Sequence, residues 1–225
     1  MLLNNKQIED LINNGYVELP ELKLTDAQVD HLSSLKLNKT YTEGSELNKE
    51  YLKTFDFNSL KSQLNQIALN RLNLRVDLND VYTVSRYLKS YDNLESYRGH
   101  FDSHLFTIVT PVVMPKAKSQ ESGQLIVFPK IRVEPINEIL NILGKLQFKL
   151  LYSGRDGFER LMKNKKYIEL DFKEKIPVLF LGRQCFHGNR SFDQAPDGER
   201  LTILTHLFDP NSKGIGAILR KIRNR

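Results

Sequence analysis

The chain has 225 residues, of which 40% are hydrophobic and 27% are charged, with 12 glycines and one cysteine. A chain of this size can bury a large core, and its composition excludes collagen-like, disordered and disulfide-stapled proteins. Its 33 basic and 27 acidic residues give a net charge of +6, which only weakly favours anionic partners.

Membrane and export signals are the next features to consider. No window approaches the ~18 uninterrupted apolar residues of a membrane-spanning helix, because polar residues and a proline break the most apolar stretch, 105–114. The start, MLLNNKQIEDLINN, lacks the basic region of a secretory signal. Since Cys185 is the only cysteine, no intramolecular disulfide can form. We therefore expect a cytoplasmic protein without a transmembrane segment.

The first part of the chain, 1–79, is predicted to be mostly helical. Aliphatic residues recur at helical spacing over 8–12 and the pattern stops at Gly15, which can end a helix in the left-handed conformation. A short strand should follow. Thr25 and Gln28 form the T-x-x-Q pattern of a capping box, which predicts the start of a second helix. A third amphipathic helix is predicted from about residue 58.

The pattern changes over 80–210 to runs of β-branched and aromatic residues bounded by glycine, proline or aspartate, which predicts antiparallel strands. A helical insert is predicted near 135–163. The order of the elements, with helices first and strands later, indicates an α+β fold. We interpret the whole chain, 1–225, as one domain. The last segment, 211–225, is predicted to be a basic C-terminal helix. Its aliphatic stripe would pack on the core or, through 214–225, contact an anionic surface.

Several catalytic motifs are absent from the sequence. There is no G-x-S-x-G elbow, Walker-type loop, G-x-G-x-x-G after a strand, or C-x-x-C pair. What remains is His100-Phe101-Asp102. On a strand, side chains two residues apart leave the same face about 6.6 Å apart, so His100 and Asp102 could converge on one ion. With His187 as a third ligand from another strand, two histidines and one carboxylate form the arrangement of non-heme Fe(II) oxygenases.

A second part of the site is predicted around Arg200. Two strand-like segments flank a turn-rich loop, at 176–187 and 199–208. We expect them to pair as an antiparallel hairpin, which would bring Arg200 close to His187. The guanidinium of Arg200 could then hold the far carboxylate of an iron-bound 2-oxo acid, and Thr202 on the same face could add a hydroxyl. Arg190 is a rival partner, but it lies in the loop.

The pattern His100-x-Asp102, His187, Arg200-x-Thr202 resembles the 2-oxoglutarate and Fe(II)-dependent dioxygenases. NKQIEDLINNGYVELPELKLTDAQV is similar to the opening of phytanoyl-CoA dioxygenase-like proteins, whereas RYLKSYDNLESYRGHFDS equally resembles prolyl hydroxylase-type members. The resemblance implies a double-stranded β-helix core (a jelly roll, cupin-like), with the N-terminal helices packed on one side.

The resemblance also implies a function. The expected cofactors are Fe(II), 2-oxoglutarate and O₂, with His100, Asp102 and His187 as metal ligands and with Arg200 and Thr202 binding 2-oxoglutarate. The expected reaction is hydroxylation of a C–H bond of a small molecule, with release of succinate and CO₂. Mild basicity favours an anionic substrate. The alternatives are a catalytically silent jelly-roll binding module and an oxygenase acting on peptides or nucleic acids. Nucleic acid is disfavoured because no basic stripe accompanies the strands.

Overall fold

The computed structural model describes residues 2–35, 39–89, 96–115, 123–191 and 198–210. The basic helix predicted over 211–225 lies outside the described residues. Within the described ranges, no helix combines the length and the apolar character needed to cross a membrane.

Among its described residues, the N-terminal part contains four α-helices, a short 3-10 helix (Pro20–Leu22) and two short strands. They are α1 (Asn5–Asn14), β1 (Tyr16–Glu18), α2 (Asp26–Ser34), β2 (Tyr41–Glu43), α3 (Glu46–Lys53) and α4 (Phe57–Leu72). The capping box of Thr25 and Gln28 is present with both of its hydrogen bonds, and Gly15 ends α1 with φ 81°. Helix α3, which begins after the cap residue Ser45, was not predicted.

Seven further strands and the two insert helices follow. They are β3 (Val81–Lys89), β4 (Phe106–Val113), β5 (Leu125–Phe128), α5 (Glu138–Tyr152), α6 (Arg155–Asn164), β6 (Ile168–Leu170), β7 (Val178–Leu181), β8 (Phe186–Asn189) and β9 (Glu199–Leu207). One antiparallel sheet has the order β1-β7-β4-β9-β3-β2, and a second has the order β6-β5-β8. The α+β class and the helical insert are therefore confirmed.

The N-terminal helices pack on one side of the six-stranded sheet, as predicted. Leu32 of α2 and Tyr51 of α3 belong to one buried cluster with Val112 of β4 and Ile203 of β9. The phenol of Tyr51 also hydrogen-bonds the hydroxyl of Thr110, 2.7 Å away on β4. This buried contact ties the helical layer to the middle of the sheet.

The insert helices α5 and α6 cover the three-stranded sheet. Phe158 of α6 packs against Phe128 of β5 and Phe186 of β8, with ring centroids 5.4 and 6.0 Å away. Phe148 of α5 packs edge-on against Phe101 at 5.0 Å. The aromatic cluster therefore reaches the segment that carries His100 and Asp102.

The predicted hairpin between 176–187 and 199–208 is wrong. A turn over 182–184 divides the first segment, so that β7 lies in the larger sheet and β8 in the smaller one. Strand β9 pairs with β3 and β4 instead. The turn could not be predicted because every residue of β7 and β8 is buried. Buried strands form a continuous apolar run without alternation, so the two strands look like one in the sequence.

Candidate metal centre

His100, Asp102 and His187 come together at one end of the two sheets. Nε2 of His100 lies 3.7 Å from Oδ1 of Asp102, and Nε2 of His187 lies 3.7 Å from Oδ2. The three ligand atoms all lie within 4.8 Å of one another. Ligands about 2.1 Å from one octahedral ion would be ~3 Å apart, so the three side chains would move closer together on binding an ion. The cluster is one that could hold a divalent metal ion.

The backbone brings these residues together differently from the prediction. His100 and His187 form an isolated antiparallel bridge, with N–O distances of 2.9 and 3.0 Å. Asp102 lies outside any strand, since β4 begins only at Phe106, and its amide donates to the carbonyl of Gly182 over 2.9 Å. Strand alternation therefore does not account for the convergence. A bridge and a loop contact produce it instead.

Each histidine is oriented by a main-chain carbonyl. Nδ1 of His100 lies 3.0 Å from the carbonyl oxygen of Arg98, and Nδ1 of His187 lies 3.2 Å from that of Cys185. A carbonyl can only accept, so these contacts place the proton on Nδ1 and leave the Nε2 lone pair directed at the cluster. The chemistry of the donor set therefore fits a resident metal ion.

Asp102 is held by residues that sequence reasoning did not identify. The hydroxyl of Thr107 donates to Oδ2 of Asp102 over 2.6 Å, and Nδ1 of His206 lies 3.0 Å from the same hydroxyl oxygen. Because Thr107 donates to the carboxylate, His206 is the donor to Thr107. The ring of His104 stacks on that of His206, with the ring centroids 5.0 Å apart. Only the long-range pairing of Thr107 with His206 reveals this chain of contacts.

Electrostatics favour the metal-binding protonation states. Burial lowers the pKa of His187. Desolvation, together with the charge of His187, also lowers the pKa of His100. The His100 side chain is 55% exposed, so water reduces this effect. Burial alone would raise the pKa of Asp102, but His187, His206, His100 and the Thr107 hydroxyl together lower it. At neutral pH both histidines are neutral and the carboxylate is charged.

Arg200 enters the interior from the opposite sheet. Its side chain is 1% exposed; Nη2 donates to Oδ1 of Asn189 over 3.1 Å and Nη1 to the hydroxyl of Thr202 over 3.4 Å. Asn189 follows His187 by two residues on β8, so the two side chains share a face about 6.6 Å apart. Arg200 therefore does lie near the strand of His187, across the interior instead of along a hairpin.

The guanidinium of Arg200 lacks an anionic partner within the described ranges. Its Nε has no hydrogen-bond partner, and both groups it contacts are neutral. Burial and the nearby charge of Arg86 lower its pKa to about 9. Arg190, the rival, is bound by both carboxylate oxygens of Glu169 at 3.0 Å. A buried cation without a counter-ion is costly, so the surroundings of Arg200 suit an anionic ligand.

Two further side chains near the metal-ligand candidates are those of Cys185 and Lys145. The thiol of Cys185 points to the carbonyl of Gly15, and burial raises its pKa to about 12, so it is an inert core group. Lys145 of α5 was not predicted. Its Nζ donates to the hydroxyl of Ser103 over 2.9 Å, next to Asp102 in the sequence.

Comparison with known proteins gives structural matches only. No family model and no curated protein matches the sequence. Among solved structures, a prolyl 4-hydroxylase from Phytophthora capsici superposes with a TM-score of 0.56 and 11% identity over 95% of this chain and 65% of that chain. The non-heme alpha ketoglutarate dependent carbocyclase SnoK, from nogalamycin biosynthesis, gives 0.54 and 12% over 92% and 84%. The epimerase SnoN, from the same biosynthesis and of the same cofactor class, gives 0.53 and 10% over 90% and 82%.

These similarities define the class of fold. The chain has the double-stranded β-helix fold found in 2-oxoglutarate-dependent non-heme oxygenases, as the sequence predicted. At these identities the likeness concerns the fold alone, and the chemistry has to be argued from the site.

Proposed function

We propose that this chain is an Fe(II)- and 2-oxoglutarate-dependent dioxygenase that acts as a single domain. The observation that carries the proposal is the pairing of two elements in one interior. One is the cluster of His100, Asp102 and His187 with both Nε2 atoms directed at the Asp102 carboxylate, and the other is the buried guanidinium of Arg200, which has no anionic partner among the described residues. A dicarboxylate bound at both would connect them.

The residues have separate tasks in this proposal. His100, Asp102 and His187 would hold Fe(II), which supplies the activation of O₂ when bound. Arg200 would bind the distal carboxylate of 2-oxoglutarate, with Thr202 and Asn189 fixing the plane of its guanidinium. Thr107 and His206 would hold Asp102 in place. The balanced reaction is 2-oxoglutarate, O₂ and R–H giving succinate, CO₂ and R–OH.

We further propose a small, anionic substrate. Lys145 supports this, because its ammonium group lies beside the metal-ligand segment through Ser103. Burial lowers the pKa of Lys145 to about 8, so the side chain is still mostly protonated at neutral pH. A cation next to the reacting centre can orient a carboxylate or phosphate of a small molecule.

The test is turnover with an unbiased substrate set. Protein loaded anaerobically with Fe(II) would be incubated with 2-oxoglutarate, O₂ and a metabolite library, and succinate and products gaining one oxygen atom would be measured by mass spectrometry. We expect stoichiometric succinate and product, and neither with His187→Ala. Tight binding of 2-oxoglutarate without succinate under any condition would instead identify a catalytically silent binding module.

A further inference from the structure

Helix α5 is unusual for a surface helix, because its exposed face is aliphatic while two polar residues lie on the face that contacts the protein. Asn141 and Lys145 face the protein, where Asn141 is 5% exposed and accepts from Nη2 of Arg132 over 2.7 Å, and Lys145 contacts Ser103. The opposite face carries large aliphatic side chains. At 3.6 residues per turn, these two sets of positions lie about half a turn apart.

The apolar face forms a continuous stripe, which we call the α5 stripe. It consists of Ile136, Ile139, Leu143, Leu146 and Leu150, each between 51% and 91% exposed. Within the helix, the residues from 139 to 150 follow one another at spacings of four, three and four. That is the spacing of the seam along which two helices interlock in a coiled coil.

This exposed aliphatic surface is unusual for a monomer in water. With Leu140 and Leu151 on its flanks, the stripe presents large aliphatic side chains that are each 45–91% exposed, whereas the largest apolar patch on a typical monomer is only about 300–600 Å². Each partner contributes about 800 Å² to a stable protein interface of standard size, and a row of exposed aliphatic side chains along a whole helix can form the centre of such an interface. A second protein surface of matching shape would therefore account for the whole stripe.

We propose that the α5 stripe is the interface of a homodimer, in which α5 packs antiparallel against α5 of a second copy. The stripe itself carries no charge, so two copies meet without burying an unpaired one. Glu138 lies at the start of α5 and Lys149 near its end, so an antiparallel arrangement brings Glu138 of one copy toward Lys149 of the other. The two helix dipoles then point in opposite directions, which is favourable. In this arrangement Leu143 of one copy contacts Leu146 of the partner copy.

The dimer would have a consequence for the proposed active site. The inner face of α5 contacts the metal-ligand segment at two points, through Lys145 on Ser103 and through Phe148 on Phe101. Association would therefore fix the helix that carries the proposed substrate cation. The interface proposal rests on the exposed stripe alone and stands or falls independently of the dioxygenase assignment.

The experiment is sedimentation velocity on the full chain over a range of micromolar concentrations. We expect a dimer for the native protein, and monomers for both Leu143→Glu and Leu146→Lys, with dimerisation weakened at least a hundredfold. An equimolar mixture of the two variants should form a heterodimer, since one Glu–Lys pair and one Leu–Leu pair then face each other. Leu69→Glu, at an exposed leucine of α4, is the matched control and should remain dimeric.

Folding of each variant is checked by circular dichroism, and the spectrum should be unchanged because the stripe is exposed within one chain. The two monomeric variants should still melt cooperatively, but at a lower temperature, because a partner copy no longer stabilises the folded chain. A monomeric native protein overturns the proposal. If that monomer sediments with anionic liposomes, the stripe belongs to a lipid surface. If Leu143→Glu instead makes residues 211–225 sensitive to protease, the chain's own C-terminal segment covers the stripe. A dimer that survives both substitutions also overturns the proposal.

Discussion

Nη2 of Arg200 donates to Oδ1 of Asn189 over 3.1 Å, and this contact joins the two sheets across the interior. Asn189 belongs to β8 in the smaller sheet and Arg200 to β9 in the larger one. Because Asn189 shares a strand face with His187, the contact sets the position of the guanidinium relative to the metal centre. Several tests of the site follow from this arrangement.

Arg200→Ala should weaken 2-oxoglutarate binding about a hundredfold, since a charge-assisted contact at a desolvated site contributes ~1.5–3 kcal/mol. Titration of metal-loaded, oxygen-free protein with 2-oxoglutarate measures this. The affinity for the metal alone should stay the same. Arg190→Ala is the control and should have little effect, because that side chain is paired with Glu169. The reverse result would assign the co-substrate carboxylate to Arg190.

Metal binding should release almost no proton at pH 7. The pKa values of His100 and His187 are lowered and that of Asp102 is lowered, so all three groups already hold the protonation state that binds metal. Affinity should remain level as the pH falls through 6.5, where ordinary histidines become charged, and should decrease only in more acidic solution. Calorimetry with Co²⁺ in buffers of different ionisation enthalpy measures the released protons. Release of a full proton per ion at pH 7 would contradict the low histidine pKa values.

Thr107→Val should weaken the metal site while the fold is kept. The substitution removes the hydroxyl between Asp102 and His206 and leaves the shape nearly unchanged, so the carboxylate loses its 2.6 Å hydrogen bond. Loss of such an orienting contact typically lowers metal affinity 10–100-fold, so we expect a decrease of about that size. Competition with a fluorescent chelator provides the measurement. Thr83→Val, on β3, is a matched strand control, and an equal loss there would show that the effect is not specific.

Gly182→Ala should damage both stability and metal binding. A Cβ at this position would lie 2.8 Å from the carbonyl oxygen of His104 and 2.9 Å from both Cβ of Asp102 and the hydroxyl of Thr107. The metal-ligand segment would have to move, at a cost of about 1–3 kcal/mol. Urea unfolding and metal titration measure the two effects. Unchanged values in both would mean that the turn can shift without disturbing Asp102.

The sequence was sufficient to predict those elements whose structure depends on residues close together in the chain. The capping box of Thr25 and Gln28 and the glycine end of α1 are local hydrogen-bonding features, and both are present. Periodicity also located the insert helices. Helix α3 was missed because its eight residues are too short for a clear repeat, although the Ser45 cap was available as a signal.

Features that depend on strand pairing could not be predicted in the same way. The three metal-ligand candidates were identified by residue type and do converge, but through a bridge and a loop contact instead of the predicted strand alternation at His100 and Asp102. Thr107, His206 and Asn189 carry no local signal, since threonine, histidine and asparagine are ordinary in strands. Their proximity to the centre follows only from which strands lie side by side.

The orientation of His100 and His187 in the cluster depends on main-chain acceptors, the carbonyls of Arg98 and Cys185. A carbonyl is present whatever side chain occupies its residue. Substitution at either position can therefore change the side chain without removing the acceptor that orients the imidazole. In evolutionary terms, the geometry of the cluster does not depend on which side chains occupy these two neighbouring positions. Such a scaffold can change sequence around the cluster while the two imidazoles keep their direction.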